Sequence, residues 1–490
     1  EANRITIRGD ATEEAGVLWG AYEDASATWT AEGSNTFSTL VGASTFGSWF
    51  FEADATTTAG FSALEEVGSV GTAQSTLGSY YITSVSANGT LYVHLTDETD
   101  PSVGGKVLKE RFGYEFVMGD DAGTGVKYVT FENLALPNFH RTHEHTPAPS
   151  HIFWQGCDLS YGENHVLFLK GDTSGNGDGC RFIDCTVEWA GQGFSIASVE
   201  TTTASGMPSP DNIIVRGSTF KHLGVNSRNQ NLDAHGVFIQ GGSNNLYENN
   251  IFDDCGSGIT SFNFGRRNQA QVNNTYRGNI FTNGHVLGGA NNRGFEFNGD
   301  NMEGGAAKYT GNKMEYNIVV GADVGFRNKL PDEAEFNNNV AYQCATGFRA
   351  LRTSVTDLPI SKLRNNIFDG STTNHFVISH EASAGDTDSD KNIFNNDPTN
   401  PFVYKGTNQS FASWQANGVT YDPNSLLADP EWIDPANEDF HLKSTSTAIG
   451  VGDTISGVTE DFYMLPVPSG AGTDIGASEF QTGGRTPFLP

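Results

Sequence analysis

Basic residues are scarce in this chain: 28 lysines and arginines stand against 58 aspartates and glutamates, a net charge of −30. That balance argues against nucleic acid and anionic membranes as partners, since both select basic surfaces. It would suit a salty environment. Long apolar runs are missing too, and none approaches the ~18–20 residues of a membrane-spanning helix. The five cysteines are odd in number and show no zinc-ligand spacing. No methionine precedes Glu1, which raises the expectation that a signal peptide or a larger N-terminal part has been removed.

Glycine, by contrast, is abundant at 58 residues, and with many asparagines it marks a turn-rich β protein. Between residues 128 and 396 one phrase recurs: an apolar residue, two or three polar ones, an asparagine, then often another apolar residue. It reads Tyr247-Glu248-Asn249-Asn250-Ile251, Tyr276-Arg277-Gly278-Asn279-Ile280, Tyr309-Thr310-Gly311-Asn312-Lys313, Phe336-Asn337-Asn338-Asn339-Val340 and Leu363-Arg364-Asn365-Asn366-Ile367, with a last copy at Ile393-Phe394-Asn395-Asn396. The final asparagines lie 29, 33, 27, 27 and 30 residues apart. Earlier copies put Cys157, Cys185 and Ser218 at the asparagine position, and Leu134 reads as the first of ten rungs. Most rungs are followed by Gly-φ-x-φ (φ apolar), as in Gly193-Phe194-Ser195-Ile196, Gly236-Val237-Phe238-Ile239 and Gly294-Phe295-Glu296-Phe297.

Both phrases alternate with a strand period and no helical one. A repeat of this length signals a solenoid, in which each copy buries its apolar face against its neighbours. The expected fold is therefore all-β: a right-handed parallel β-helix of about ten coils, with asparagines bonding to the coils above and below. Leucine-rich and propeller repeats need other patterns and periods. Residues 1–125 lack the ladder but carry strands, such as 79–83 and 90–95, and read as an N-terminal β cap domain. Residues 126–400 form the β-helix, and 401–490 read as a C-terminal cap over the last coil and its exposed edges. Cys157 and Cys185, on adjacent rungs, are either stacked thiols or a disulfide.

The ladder, the segment Leu91-Tyr92-Val93-His94-Leu95 and the ending Asp474-Ile475-Gly476-Ala477 together resemble the carbohydrate-active β-helix proteins. These include polysaccharide lyases of the chondroitinase B and alginate lyase type, β-helix glycoside hydrolases and phage tailspike depolymerases. The resemblance implies a secreted or virion-surface protein, monomeric or a tailspike-like homotrimer. It also implies a substrate groove along the Gly-φ-x-φ strands and the turns before them. Aligning the coils puts Ser195, Phe238, Thr260, Glu296, Arg327, Arg349 and Val377 in one outward column. The next holds Ala197, Gln240, Phe262, Asn298, Lys329, Leu351 and Ser379. Nearby turns add Asp233, His235, Arg266, Arg267, Arg293 and Asp300.

Residues 266–364 hold 12 of the 28 lysines and arginines, about twice their share by length. A basic stripe on an acidic body reads as a clamp for carboxylate or sulfate, which arginine binds bidentately; the alternative is a plain salt-bridge ladder from Glu296 to Arg327. For a lyase, Lys329 is the candidate base and Arg327 and Arg349 neutralise the uronate carboxylate, with Glu296, Asp233 and His235 as further catalytic candidates. Arg266, Arg267, Arg293, Phe238 and Gln240 are candidate substrate contacts. Lyases like chondroitinase B work beside Ca²⁺, and Glu296, Asn298 and Asp300 are the oxygen ligands this chain can offer. That family's Lys-Ser and Arg-His-Gly phrases are not in register here. A hydrolase instead needs two carboxylates flanking the bond, and a non-catalytic glycan-binding β-helix stands as a third reading.

Three weaker patterns remain. His140, His143, His145 and His151 read as a solvated loop ahead of a metal site. The run from Asp386 to Asp390 reads as a solvated turn. Asp253-Asp254 follows a ladder rung directly, unlike the paired aspartates of polygalacturonases.

Overall fold

The computed structural model describes residues 5–8, 22–24, 29–41, 50–54, 62–83, 89–101, 106–111, 114–118, 127–135, 139–144, 150–160, 165–171, 178–198, 211–224, 234–262, 271–284, 292–298, 309–329, 333–351, 360–379, 387–396, 398–418, 421–470 and 472–481. The solenoid is a right-handed parallel β-helix of three sheets. Each coil lays a strand on a first sheet of 11 strands, a second of nine and a third of 12. Within the coils, neighbouring strands pair in parallel and in register; one example is Leu246–Glu248 against Thr275–Arg277. Phenylalanines, tyrosines and aliphatic residues from all three sheets fill the interior from Val129 to Tyr421.

The asparagine ladder sits at the turn between the first two sheets. Asn250 Nδ2 donates to Asn279 Oδ1 at 2.9 Å, and Asn279 Nδ2 donates to Asn317 Oδ1 at 2.9 Å. Asn317 bonds to Asn339, Asn339 to Asn366 and Asn366 to Asn392 in the same way. Each amide also donates to a backbone carbonyl of the preceding coil, as Asn279 does to Tyr247 O at 2.9 Å, so the buried amides of these rungs are paired. Two expected rungs are thus corrected. Asn312 belongs to a second ladder, Asn245–Asn274–Asn312, and the rung of its coil is Asn317. Asn396 is exposed and bonds to Asp369, and the rung there is Asn392. Upstream, Cys157 and Cys185 occupy consecutive rungs as buried thiols without a disulfide. Their shared hydrogen bond lowers the Cys157 thiol and, together with burial, pushes that of Cys185 well up.

The apolar residue after each asparagine points out of the solenoid. Ile251, Ile280, Ile318, Val340, Ile367 and Ile393 pair in one column of the second sheet. The preceding positions, Thr186 and Thr219, are polar. A second core covers the aliphatic part: Trp432, Phe440, Leu442, Phe462, Tyr463 and Ile475 pack against Ile280 through Ile393. The C-terminal part was expected to cover the last coil, and only its beginning does so. The hairpin Phe402–Tyr404/Thr407–Gln409 and the helix Phe411–Gln415 close the end, with Trp414 stacked 5.5 Å from Phe402. The rest returns along the flank and is tied there by Asn338, whose Nδ2 donates to the carbonyls of Asp474 and Gly476.

In the N-terminal part, Ser79–Ile82 and Gly89–His94 pair antiparallel within a five-stranded sheet around Leu64, Tyr80, Leu91, Val93 and Leu95. The solenoid draws on this part as well. Ile5–Arg8 pairs with Val129–Glu132 on the first sheet, and Tyr114–Met118 pairs with Phe139–Glu144 on the third.

Candidate functional site

The Gly-φ-x-φ phrase builds the third sheet, and its glycines have a steric reason. They stack where this sheet turns away from the second, so a Cβ on Gly258 would lie 2.6 Å from Gly294 O, and one on Gly325 2.6 Å from Gly347 O. Only glycine permits that approach. Either side of the glycine, two side chains face the same way. His235 stacks on Phe238 at 5.1 Å between ring centroids, and Arg293 reaches Glu296.

The expected outward column is present strand by strand: Ser195 pairs with Phe238, Phe238 with Thr260, Thr260 with Glu296, Glu296 with Arg327, Arg327 with Arg349, and Arg349 with Val377. Lys329 directly follows the strand Val324–Asn328, its N–H donating to Phe297 O at 2.8 Å. This places it beside Asn298 in the neighbouring column.

Charge is concentrated at three successive strands. Glu296 is fully buried, and Arg327 Nε donates to its Oε1 at 2.6 Å; Arg327 Nη2 contacts the same oxygen. Arg293 Nη1 donates to Oε2 at 3.2 Å. One carboxylate thus serves two guanidinium groups. Arg349, next in the column, has no ion pair among the described residues, and its Nε is buried without a partner. Thr260 Oγ1, Arg293 Nε and Asn298 Oδ1 are likewise buried and unpartnered. Four unsatisfied polar atoms on one sheet are costly and mark a place where a polar ligand would add hydrogen bonds. Behind Glu296, Tyr276 stays a neutral hydroxyl, since burial, and then the Glu296 charge, raises its pKa.

No family model matches this chain, and no curated protein does. Among solved structures, the complex of XylC with xylose is similar over 98% of this chain and 89% of its own, with 12% identity and a TM-score of 0.50. The pectate lyase Pel9A aligns over 75% of this chain and 78% of its own at 12% identity and a TM-score of 0.38. An alginate lyase from Paenibacillus sp. str. FPU-7 aligns over 59% and 98% at 13% identity and a TM-score of 0.40. The likeness is one of fold.

Of the other expected site residues, His235 is buried against Phe238, which is half-buried. The backbone of Gln240 pairs with Phe262; the side chains of both lie outside the described residues, as do Asp233, Arg266, Arg267 and Asp300. The remaining calcium ligands do not fit the ion. Both Glu296 oxygens face guanidinium groups, and Asn298 offers one neutral oxygen, where Ca²⁺ takes six to eight oxygens.

Sequence reasoning placed Arg293 in a turn near the substrate and missed its bond to Glu296. The signal was the i, i+3 spacing across the phrase's glycine, shared with His235 and Phe238. The run before Asp390 is not a turn: Thr387–Asp390 is a strand of the first sheet, with Asp388 paired to Arg364 at 2.6 Å. Asp253 and Asp254 lie on the second sheet and bond to Asn283 and His222. His151 packs on Tyr128, while the side chains of His140, His143 and His145 lie outside the described residues.

Proposed function

We propose that the chain is a depolymerase of an anionic polysaccharide, acting by β-elimination in the groove of the third sheet. The observation that carries this reading is Arg349. In a chain of net charge −30, a guanidinium group with no carboxylate partner among the described residues, in register with a second arginine, supports an anion site. The fold shared with XylC, solved with xylose, agrees with a saccharide ligand.

Elimination needs two things that these strands supply. Arg349, with Arg327 beside it, neutralises a uronate carboxylate and stabilises the negative charge that grows on it as the neighbouring carbon loses its proton. Lys329, one column over, is the base that takes this proton. The electron pair forms the ring double bond, the glycosidic C–O bond breaks, and the departing oxygen takes up a proton from the lysine or from water. Glu296 is a positioning residue that fixes Arg327 and Arg293. Its two occupied oxygens favour elimination over hydrolysis, which needs two available carboxylates.

The test is incubation with uronate and sulfated polysaccharides. Absorbance from an unsaturated uronate product is expected, with Lys329→Ala abolishing it while the circular dichroism spectrum is unchanged. New reducing ends without that absorbance would mark a hydrolase, and binding without cleavage a glycan-binding protein. Full activity in Lys329→Ala would remove this residue as the base.

A further inference from the structure

We infer that the N-terminal sheet carries a second saccharide site, for uncharged sugar units, separate from the groove and independent of its chemistry. The five-stranded sheet has two faces. Tyr80, Leu91, Val93 and Leu95 lie in its core, and strand alternation turns Tyr81 and Tyr92 to the opposite face. These two tyrosines are direct partners on the antiparallel strands Ser79–Ile82 and Gly89–His94. Their rings stand 6.2 Å apart between centroids at an interplanar angle of 29°, and both are half-buried. On the other side of Tyr92 its partner is Ser38, from the strand Thr36–Val41. Ser38 Oγ donates to Oε1 of the exposed Glu32 at 2.5 Å. The row thus runs across one face from a carboxylate, through a hydroxyl, to two aromatic rings.

One end of this face is covered by the short helix Val70–Ala73, where the buried His94 donates Nδ1–H to Ala73 O at 3.0 Å. Gln74, just after the helix, donates Nε2–H to Glu32 O at 3.1 Å, which ties the helix to the strand bearing the carboxylate. Beyond the helix, Tyr81 and Tyr92 form a shelf with partly exposed rings. Aromatic rings beside a hydrogen-bonding edge are the make-up of a saccharide site. The rings take the C–H face of a pyranose, and the carboxylate and hydroxyl take its hydroxyl groups.

Charge selects the ligand. Between Arg8 and Lys106 the sequence has no lysine or arginine, against 13 aspartates and glutamates. An anionic sugar on the shelf would meet Glu32 with no cation of this part to pair it, and desolvating an unpaired charge is unfavourable. The acidic surplus also repels polyanions at longer range. A sugar that bears only hydroxyls instead donates hydrogen bonds to the carboxylate, and bonds to a charged group are the stronger kind. The ligand is therefore a run of uncharged sugars.

The test is native affinity electrophoresis of the full chain through gels that contain unsubstituted xylan, mixed-linkage β-glucan or galactomannan. Retardation by at least one of these neutral polymers is expected. Tyr81→Ala combined with Tyr92→Ala should weaken that association about tenfold or more. The corresponding pair of phenylalanine variants should keep most of it, and Arg349→Ala should leave it unchanged. Glu32→Gln, which keeps the shape of the side chain, should weaken it severalfold and gives a second reading where the alanine pair fails to fold. A cross-strand pair that only stabilises the sheet would lower the thermal midpoint and leave retardation as it was. That result, or no retardation by any neutral polymer, would overturn the inference. So would loss of retardation in Arg349→Ala, which would put the neutral sugars in the groove.

Discussion

Arg327 and Glu296 lie in register on adjacent strands, the guanidinium Nε 2.6 Å from a carboxylate that has no solvent exposure. Arg293 holds the other oxygen of the same carboxylate. Next to this trio in the same column stands Arg349, which has no ion pair among the described residues.

Removing the shared carboxylate should therefore act first on stability. Glu296→Ala leaves two largely buried guanidinium groups uncompensated, and a loss of about 3–5 kcal/mol is expected from denaturant unfolding. Adding Arg327→Ala should return part of it. A Glu296→Ala protein of wild-type stability would mean that the trio does not hold the groove.

The ladder register has its own test. Asn392 receives bonds from the Asn366 backbone and side chain and donates to Leu363 O and Asp422. Asn392→Ala orphans buried groups at roughly 1–3 kcal/mol each. Exposed Asn396 should tolerate alanine within about 0.5 kcal/mol. Comparing the two thermal midpoints decides which residue is the rung.

The outer core should fail locally. Ile367, fully buried between the second sheet and the returning C-terminal segment, is expected to cost about 2–5 kcal/mol as alanine. Amide exchange should rise first across residues 432–477. Exchange that rises evenly along the solenoid would contradict the packing described.

Acid should strengthen the same segment. Asp461 and Glu479 are buried side by side, Asp461 Oδ2 accepting the Glu479 N–H at 2.7 Å. Burial pushes their carboxyls up to about 6 and about 7. Folded values above the ordinary ones mean that the folded state holds these protons more tightly. The stabilisation is complete below about pH 4 and is lost as pH rises through 6 and 7. Amide exchange of residues 461–480 should slow between pH 8 and pH 5, after correction for intrinsic rates, and Asp461→Asn with Glu479→Gln should flatten the change.

Much of this was legible because Gly-φ-x-φ carries a steric requirement. The glycine fixes where each third-sheet strand begins, so alignment on Gly294, Gly325 and Gly347 put Glu296, Arg327 and Arg349 in one column. The asparagine phrase was a poorer ruler. Asn312 and Asn317 stand five residues apart on one coil and both serve ladders, so residue type alone could not separate them. The return of the C-terminal segment left its mark in the switch from Thr186 and Thr219 to Ile251 and Ile280, a pattern that an interior position shares. The pairing of Glu296 with two arginines depended on which way Arg293 turns before Gly294, and no periodicity reports that.

The central claim is that Arg349 is the anion-recognising residue of a saccharide groove. Its most direct test is the affinity of Arg349→Ala, against wild type, for the acidic polysaccharide that the wild-type chain binds. A loss of about tenfold or more at an unchanged thermal midpoint is predicted; equal affinities would contradict it.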